Sequence, residues 1–183
     1  MRFLIASDIH GSSLYCRMLL DAAEREDAER CILLGDLLYH GPRNDLPDGY
    51  APKEVIRMLS SSRMKLYCVR GNCEAEVDQM VLPFPVMSES MIMPVGNSLM
   101  YVTHGHIYHM DHLPPLKPGD ILLHGHTHVP GIWHLENGIT VLNPGSVSIP
   151  KENSWRGYMI LEDTTFVWKD LSGLEKLRWE SAR

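Results

Sequence analysis

The chain of 183 residues lacks several features, and each absence narrows its role. Its four cysteines, Cys16, Cys31, Cys68 and Cys73, include no Cys-x-x-Cys pair and read as reduced thiols rather than a disulfide framework. No apolar run approaches the length that spans a bilayer, so no membrane partner is expected. The opening Met1 to Ala6 is too short for the apolar region of a signal peptide, and the cytoplasm is the expected compartment. Basic residues are the minority, 17 Lys and Arg against 23 Asp and Glu, for a formal charge of −6. That balance, with no Lys/Arg stripe, argues against gripping a nucleic-acid backbone, and no nucleic-acid partner is expected. There is no repeat, linker or low-complexity tract. Residues 1–183 therefore read as a single domain, large enough to bury a core without staples.

What is present is an alternation of apolar runs and turn chemistry. Arg2 to Ala6 reads as a buried strand. Ser12 or Ser13 caps a helix in which Leu14, Met18, Leu19, Ala22 and Ala23 recur at helical spacing, with Glu24 to Arg30 as its solvated end. Cys31 to Leu34 is a second strand, Pro52 opens a helix carrying Val55, Ile56 and Leu59 inward, and Lys65 to Val69 is a third strand. This β-α-β-α-β order implies parallel strands with right-handed crossovers. Between them, Leu37 to Ala51 is a long loop rich in Gly, Pro and Asn, of a size that is usually functional. A short helix follows near Glu74 to Met80. Hairpins are then expected around Gly96-Asn97, Glu136-Asn137-Gly138 and Glu162-Asp163-Thr164. Leu171 to Arg183 fits neither pattern. Two sheets, one mostly parallel and one with antiparallel hairpins, packed face to face with helices outside, fit this order best.

Five of the strand-like runs end in a metal-type side chain beside a glycine. These are Asp8 and His10 before Gly11, Asp36 after Gly35, Asn72 after Gly71, His104 before Gly105, and His126 with His128 after Gly125. Each is weak alone, and five of one build are not coincidence. Two carboxylates, four imidazoles and one amide oxygen are too many for one tetrahedral zinc. The mixed N/O set suits two borderline-hard divalent ions sharing a carboxylate. Such ions, about 3.5–4 Å apart, acidify a bound water and clamp a phosphoryl group for in-line attack.

Together these motifs resemble the calcineurin-like metallophosphoesterase superfamily, from Asp8 to His128 and on through Asn143-Pro144-Gly145-Ser146. The short chain, Gly71-Asn72-Cys73-Glu74 and His40-Gly41-Pro42-Arg43-Asn44 resemble its small bacterial YfcE-type phosphodiesterases. The resemblance implies a four-layer α-β-β-α sandwich of two mixed sheets. It implies one ion held by Asp8, His10, Asp36 and His128, and a second by Asp36, Asn72, His104 and His126, with Asp36 bridging. Mn²⁺ is the leading expectation, since relatives usually work with it and sometimes with Fe, Zn, Ni or Mg. A hydroxide between the metals would attack a small phosphodiester substrate.

One departure matters. Most of the superfamily has histidine after Gly-Asn, where this chain has Cys73, and a thiol is a poor replacement for imidazolium as phosphate partner or general acid. Esters with good leaving groups, or a proton drawn from His106 or water, are therefore expected. Arg43 is a candidate to fork onto a phosphate oxygen, and Asn143 or Ser146 to shape the site from behind. Trp155, Trp168 and Trp179 are candidates for a subunit contact, a homo-oligomer being expected by analogy with small enzymes of this group. Two other functions compete. A nuclease or cyclic-nucleotide phosphodiesterase is opposed, in its nuclease form, by the acidic charge. A non-catalytic scaffold, as in the retromer subunit resembling these enzymes, would be marked by lost ligands, and all seven positions here are ligand-competent.

Overall fold

A computed structural model describes residues 1–181 of the protein. Strand β1 (Arg2–Ala6), helix α1 (Ser13–Arg25), β2 (Arg30–Leu33), α2 (Pro52–Ser60) and β3 (Lys65–Cys68) form the parallel unit expected from the sequence. Ile5 pairs with Ile32, and Ile32 with Tyr67. After the short α3 (Glu76–Val81) come β4 (Ser90–Val95), β5 (Ser98–Thr103), β6 (Ile121–Leu123), β7 (Gly131–His134) and β8 (Thr140–Asn143). The chain then returns through β9 (Gly157–Glu162), β10 (Thr165–Asp170) and β11 (Glu175–Glu180). Two mixed sheets result, ordered β11-β10-β9-β1-β2-β3 and β4-β5-β6-β8-β7.

The sheets pack face to face. Ile5, Ile32, Met159, Phe166 and Trp168 from the first meet Met100, Val102, Ile121, Leu123 and Leu142 from the second in one buried cluster. The other face of the first sheet is closed by α1 and α2 through Cys16, Leu19, Ala22, Val55, Met58 and Leu59. Outside the second sheet, the covering layer is the segment carrying Met110, Leu113 and Leu116, packed on Leu122 and Val141. It is irregular because Pro114, Pro115 and Pro118 deny it helical hydrogen bonds. No helix among the described residues is long and apolar enough to cross a membrane.

Three local readings need correction. In α1, capped by Ser12 Oγ on Tyr15 N at 3.2 Å, the inward face is Cys16, Leu19, Ala22 and Ala23, while Leu14 and Met18 are exposed. Small side chains let the helix lie close on the sheet, which turns the bulkier pair outward. In α2, Val55 and Leu59 are buried and Ile56 packs partly buried against the same core, as expected, and Met58 joins them. Glu26, placed in the solvated end of α1, is buried: it accepts from Lys169 Nζ at 2.8 Å and Tyr158 O–H at 2.9 Å. Trp168 is a wholly buried core residue donating Nε1–H to the Asn143 carbonyl at 2.6 Å, so it is no subunit contact. Trp155 and Trp179 pack against the same cluster. The ambiguous tail forms β11, whose Leu177 and Trp179 face the inter-sheet core; Ala182 and Arg183 lie outside the described residues.

Candidate metal centre

Strands β1, β2 and β3 run parallel in one sheet, and β5, β6 and β8 in the other, so six C-terminal strand ends open on one side of the sandwich. The turns leaving those ends carry all seven candidate ligands, the position where such sheets gather chemistry. Five of the seven, Asp8, His10, Asp36, His126 and His128, have φ between 49° and 66°. Left-handed backbone at non-glycine residues is uncommon and persists where surrounding contacts hold it. Those contacts are present. Asp8 N–H donates to the Gly35 carbonyl at 3.1 Å and His10 N–H to the Asp36 carbonyl at 2.9 Å, tying the first two turns together. Ser146 Oγ and Ser148 Oγ both donate to the Asp8 carbonyl, at 2.8 and 3.0 Å.

Two glycines are required by close approach. A Cβ on Gly71 would strike the Asp36 carboxylate, and one on Gly125 would strike Ser7 Oγ. Gly71 and Gly125 therefore make room for side chains of the neighbouring turns, a reason the sequence pattern did not disclose.

Three imidazoles are held in a single tautomer from behind. His10, His104 and His128 each donate Nδ1–H to a backbone carbonyl, of Tyr39 at 2.7 Å, Leu34 at 2.6 Å and Ile149 at 2.6 Å. Their Nε2 atoms then point inward, where each can take either a proton or a metal ion. His10 Nε2 and His128 Nε2 lie 3.2 Å apart, and Asp8 Oδ1 lies 3.5 and 3.2 Å from them. This Asp8 oxygen is buried without a well-aligned hydrogen bond. On the other side His104 Nε2 lies 3.2 Å from His126 Nδ1 and 3.1 Å from Asn72 Oδ1. Asp36 stands between, with Oδ2 3.7 Å from His10 Nε2 and Oδ1 3.5 Å from His104 Nε2. Asp8, His10 and His128 form one group able to hold a metal ion, and Asp8, Asp36 and His104 another.

The electrostatics agree with a cation site. Burial alone would raise the Asp8 carboxyl, but His10 and His128 beside it outweigh that and hold it well below the usual carboxylate range. Burial opposes charge on His104, yet the carboxylates of Asp36 and Asp8 bring its pKa up to about 9. Burial and the His104 charge push His126 down to about 4. Two carboxylates held ionised draw a proton onto His104, and a divalent ion among the same carboxylates and ring nitrogens would displace that proton. The residues present fit the expected metals.

The remaining candidates fall around this centre. Cys73 is half-buried: its N–H donates to Asp36 Oδ1 at 2.9 Å, and its Sγ lies within reach of the same ion as His10 and Asp36. Burial and the Asp36 charge push its thiol well above the usual range, so it stays protonated. His106 sits with its ring 5.4 Å from His104 and 6.3 Å from His126, its buried Nδ1 unpartnered. Arg43 lines a cleft of about 430 Å³ whose walls include His10, Asp36, Asn72, Cys73, His126 and His128. Asn143 Nδ2 donates to the Gly125 carbonyl at 2.8 Å, behind the His126 turn.

Residues 1–165 match the calcineurin-like phosphoesterase superfamily domain. The chain belongs to this superfamily. Within it, the chain is 41% identical over 163 residues to phosphodiesterase YfcE of Escherichia coli strain K12, covering 89% of this chain and 88% of that protein. The solved structure of E. coli YfcE, described as a phosphoesterase, superposes with a TM-score of 0.93 at 37% identity over the whole of both chains. The two mixed sheets are thus the metallophosphoesterase fold. Vps29 of Entamoeba histolytica, solved in complex with zinc, matches all of both chains with a TM-score of 0.62 at 19% identity, which shows the fold alone.

Sequence reasoning missed three contributors to this centre. Ser7 Oγ donates to Asp8 Oδ2. Glu74, quoted in the motif without a role, accepts three backbone N–H groups from the Asp36 and Asn72 turns. Lys151 lines the cleft opposite the family motifs, and only its position five residues after Ser146 could have marked it.

Proposed function

We propose that the chain hydrolyses small phosphodiesters with two divalent metal ions, Mn²⁺ foremost. His10, His128 and Asp8 would hold one, and Asn72, His104 and His126 the other, with Asp36 between them. The observation that carries this reading is the inward meeting of His10 Nε2 and His128 Nε2 at 3.2 Å over the orphaned Asp8 Oδ1. Nitrogens so placed beside a buried carboxylate need a shared proton or a cation among them, and a divalent ion serves all three at once. When bound, the ions supply an acidified water and neutralise phosphoryl oxygens.

The chain's own residues do the rest. Backbone carbonyls of Tyr39, Leu34 and Ile149 keep three rings aimed at the centre, so little reorganisation is needed on binding. Cys73, held as a thiol beside Asp36, is a weak proton donor where relatives carry imidazole. His106 is an imidazole beside the centre, its ring 5.4 Å from that of His104, and it or solvent would protonate the departing oxygen. That division favours aryl and other good leaving groups.

The test is hydrolysis of bis-p-nitrophenyl phosphate by metal-stripped protein, with Mn²⁺ added back, beside Asp36→Asn. Activity restored by metal and lost in the variant is the expected result. No activity with any divalent ion in folded protein would transfer the assignment to a scaffold on this fold.

A further inference from the structure

The cleft over the centre is lined by two cations that come from separate loops. Arg43 belongs to the long loop after β2, and Lys151 to the loop after Ile149; both line the cleft and both are exposed. Neither head group has an ion pair or a hydrogen bond among the described residues. Elsewhere on this acidic surface basic side chains are commonly paired: Arg2 with Glu162, Arg57 with Glu54, Arg178 with Glu175. The two loops are also tied to the centre. Lys151 N–H donates to the His128 carbonyl at 3.2 Å, and Ser154 Oγ closes the turn on the Lys151 carbonyl at 2.6 Å. On the other loop, Asn44 Nδ2 donates to the His40 carbonyl at 2.8 Å.

We propose that Arg43 and Lys151 form a second anion subsite in the cleft, selecting phosphodiesters that carry a further terminal phosphate on one arm. This rests on the phosphodiesterase reading above and goes beyond it. A scissile diester is a monoanion and lies over the ligand cluster at the floor. Two free cations lining the cleft match the charge of about −1.5 to −2 on a terminal phosphate. Arginine offers a planar fork for phosphate oxygens and lysine a point charge, which together suit a compact tetrahedral anion.

The wall beyond limits how far the substrate extends. Arg43 and Asn44 also border an adjoining cleft of about 390 Å³, lined by Asp45, Asp48, Leu46, Pro47, Ile149 and Arg156. Its Arg156 is engaged, donating Nε–H to the Ser148 carbonyl at 3.0 Å and lying 4.5 Å over the Tyr15 ring. Its two carboxylates offset the Arg43 and Arg156 charges, so this second cleft offers no net attraction to a further anion. The second phosphate is therefore assigned to Arg43 and Lys151 within the cleft that holds the ligand cluster.

The test uses two stable ligands that differ by one phosphate, thymidine 5′-monophosphate and thymidine 3′,5′-bisphosphate, titrated calorimetrically into Mn²⁺-loaded protein. Tighter binding of the bisphosphate by about tenfold or more is expected, the scale of charge-assisted contacts to phosphate. The preference should fall to within about twofold in an Arg43→Met, Lys151→Met double variant and persist in Arg63→Met, a distant control. Equal binding of the two ligands, a preference that survives the double variant, or no binding of either would overturn the subsite. Metal-dependent hydrolysis of bis-p-nitrophenyl phosphate, measured on the same preparation, shows separately whether the diesterase reading stands.

Discussion

Glu74 holds the backbone of Asp36: its Oε2 accepts the Asp36 N–H at 2.8 Å, while its Oε1 takes the Leu37 N–H at 2.7 Å. The same Oε2 accepts from Gly71 N–H at 2.5 Å, so one buried carboxylate joins the turns that present Asp36 and Asn72. Burial and the Asp36 charge raise this carboxyl, and the three N–H donors oppose that rise. Glu74→Gln would set an amide N–H₂ against N–H donors. Losing such a contact behind a ligand weakens metal binding about 10–100-fold and costs about 1–3 kcal/mol in stability. Calorimetric titration with Mn²⁺ measures the first directly. Affinity within about twofold of the parent would show that Glu74 does not position Asp36.

Metal should also stabilise the fold itself. Five ligand residues sit at positive φ around carboxylates and ring nitrogens that face one another. A ligand that binds only the folded state at a hundredfold excess over its Kd adds about 2.7 kcal/mol, or roughly 5–10 °C in Tm for a chain of this size. Differential scanning of stripped protein with and without Mn²⁺ is the measurement. Asp36→Asn should lose most of the rise, and an unchanged Tm in the parent would count against a preformed site.

Much of this was legible from residue types and order. The β-α-β-α-β unit, the three hairpins and the position of each ligand turn at a strand end all follow from short apolar runs bounded by Gly, Pro and Asn. What was hidden lay in contacts between distant segments. Glu26 looked solvated because its partners, Tyr158 and Lys169, are more than 130 positions away. Strand β11 carries only Leu177 and Trp179 as an inward pair, too little alternation to register. Lys151 has no motif of its own and is brought to the cleft by the loop that orients His128.

On the proposed function, Cys73 would set the leaving-group preference. Its thiol is protonated beside Asp36 and is too weak an acid to match imidazolium. Aryl diesters should be much better substrates than alkyl esters, with a shallower dependence of rate on assay pH. Restoring an imidazole by Cys73→His should narrow the aryl-to-alkyl gap in kcat at least tenfold, since a placed general acid contributes about 10²–10⁴-fold. If alkyl phosphomonoesters already turn over as fast as aryl diesters in the parent, the role given to Cys73 is wrong.

The Glu26–Lys169 pair gives a pH signature far from the centre. Burial would raise the Glu26 carboxyl, but hydrogen bonds from Lys169 and Tyr158 outweigh it and hold the carboxyl below its ordinary value of 4.5. A carboxyl depressed in the folded state stabilises fully above its unfolded pKa. That contribution disappears as pH falls through the folded value. Glu26→Gln keeps one acceptor for Tyr158 and loses the ion pair, so it should cost about 1–3 kcal/mol at neutral pH. Urea unfolding of parent and variant across the acid range reads the difference. The gap should be constant from neutrality down to about pH 5 and close below 4.5, where the parent loses what the variant never had. A gap that stays open at the lowest pH at which both fold would mean the cost is one of packing, not of charge.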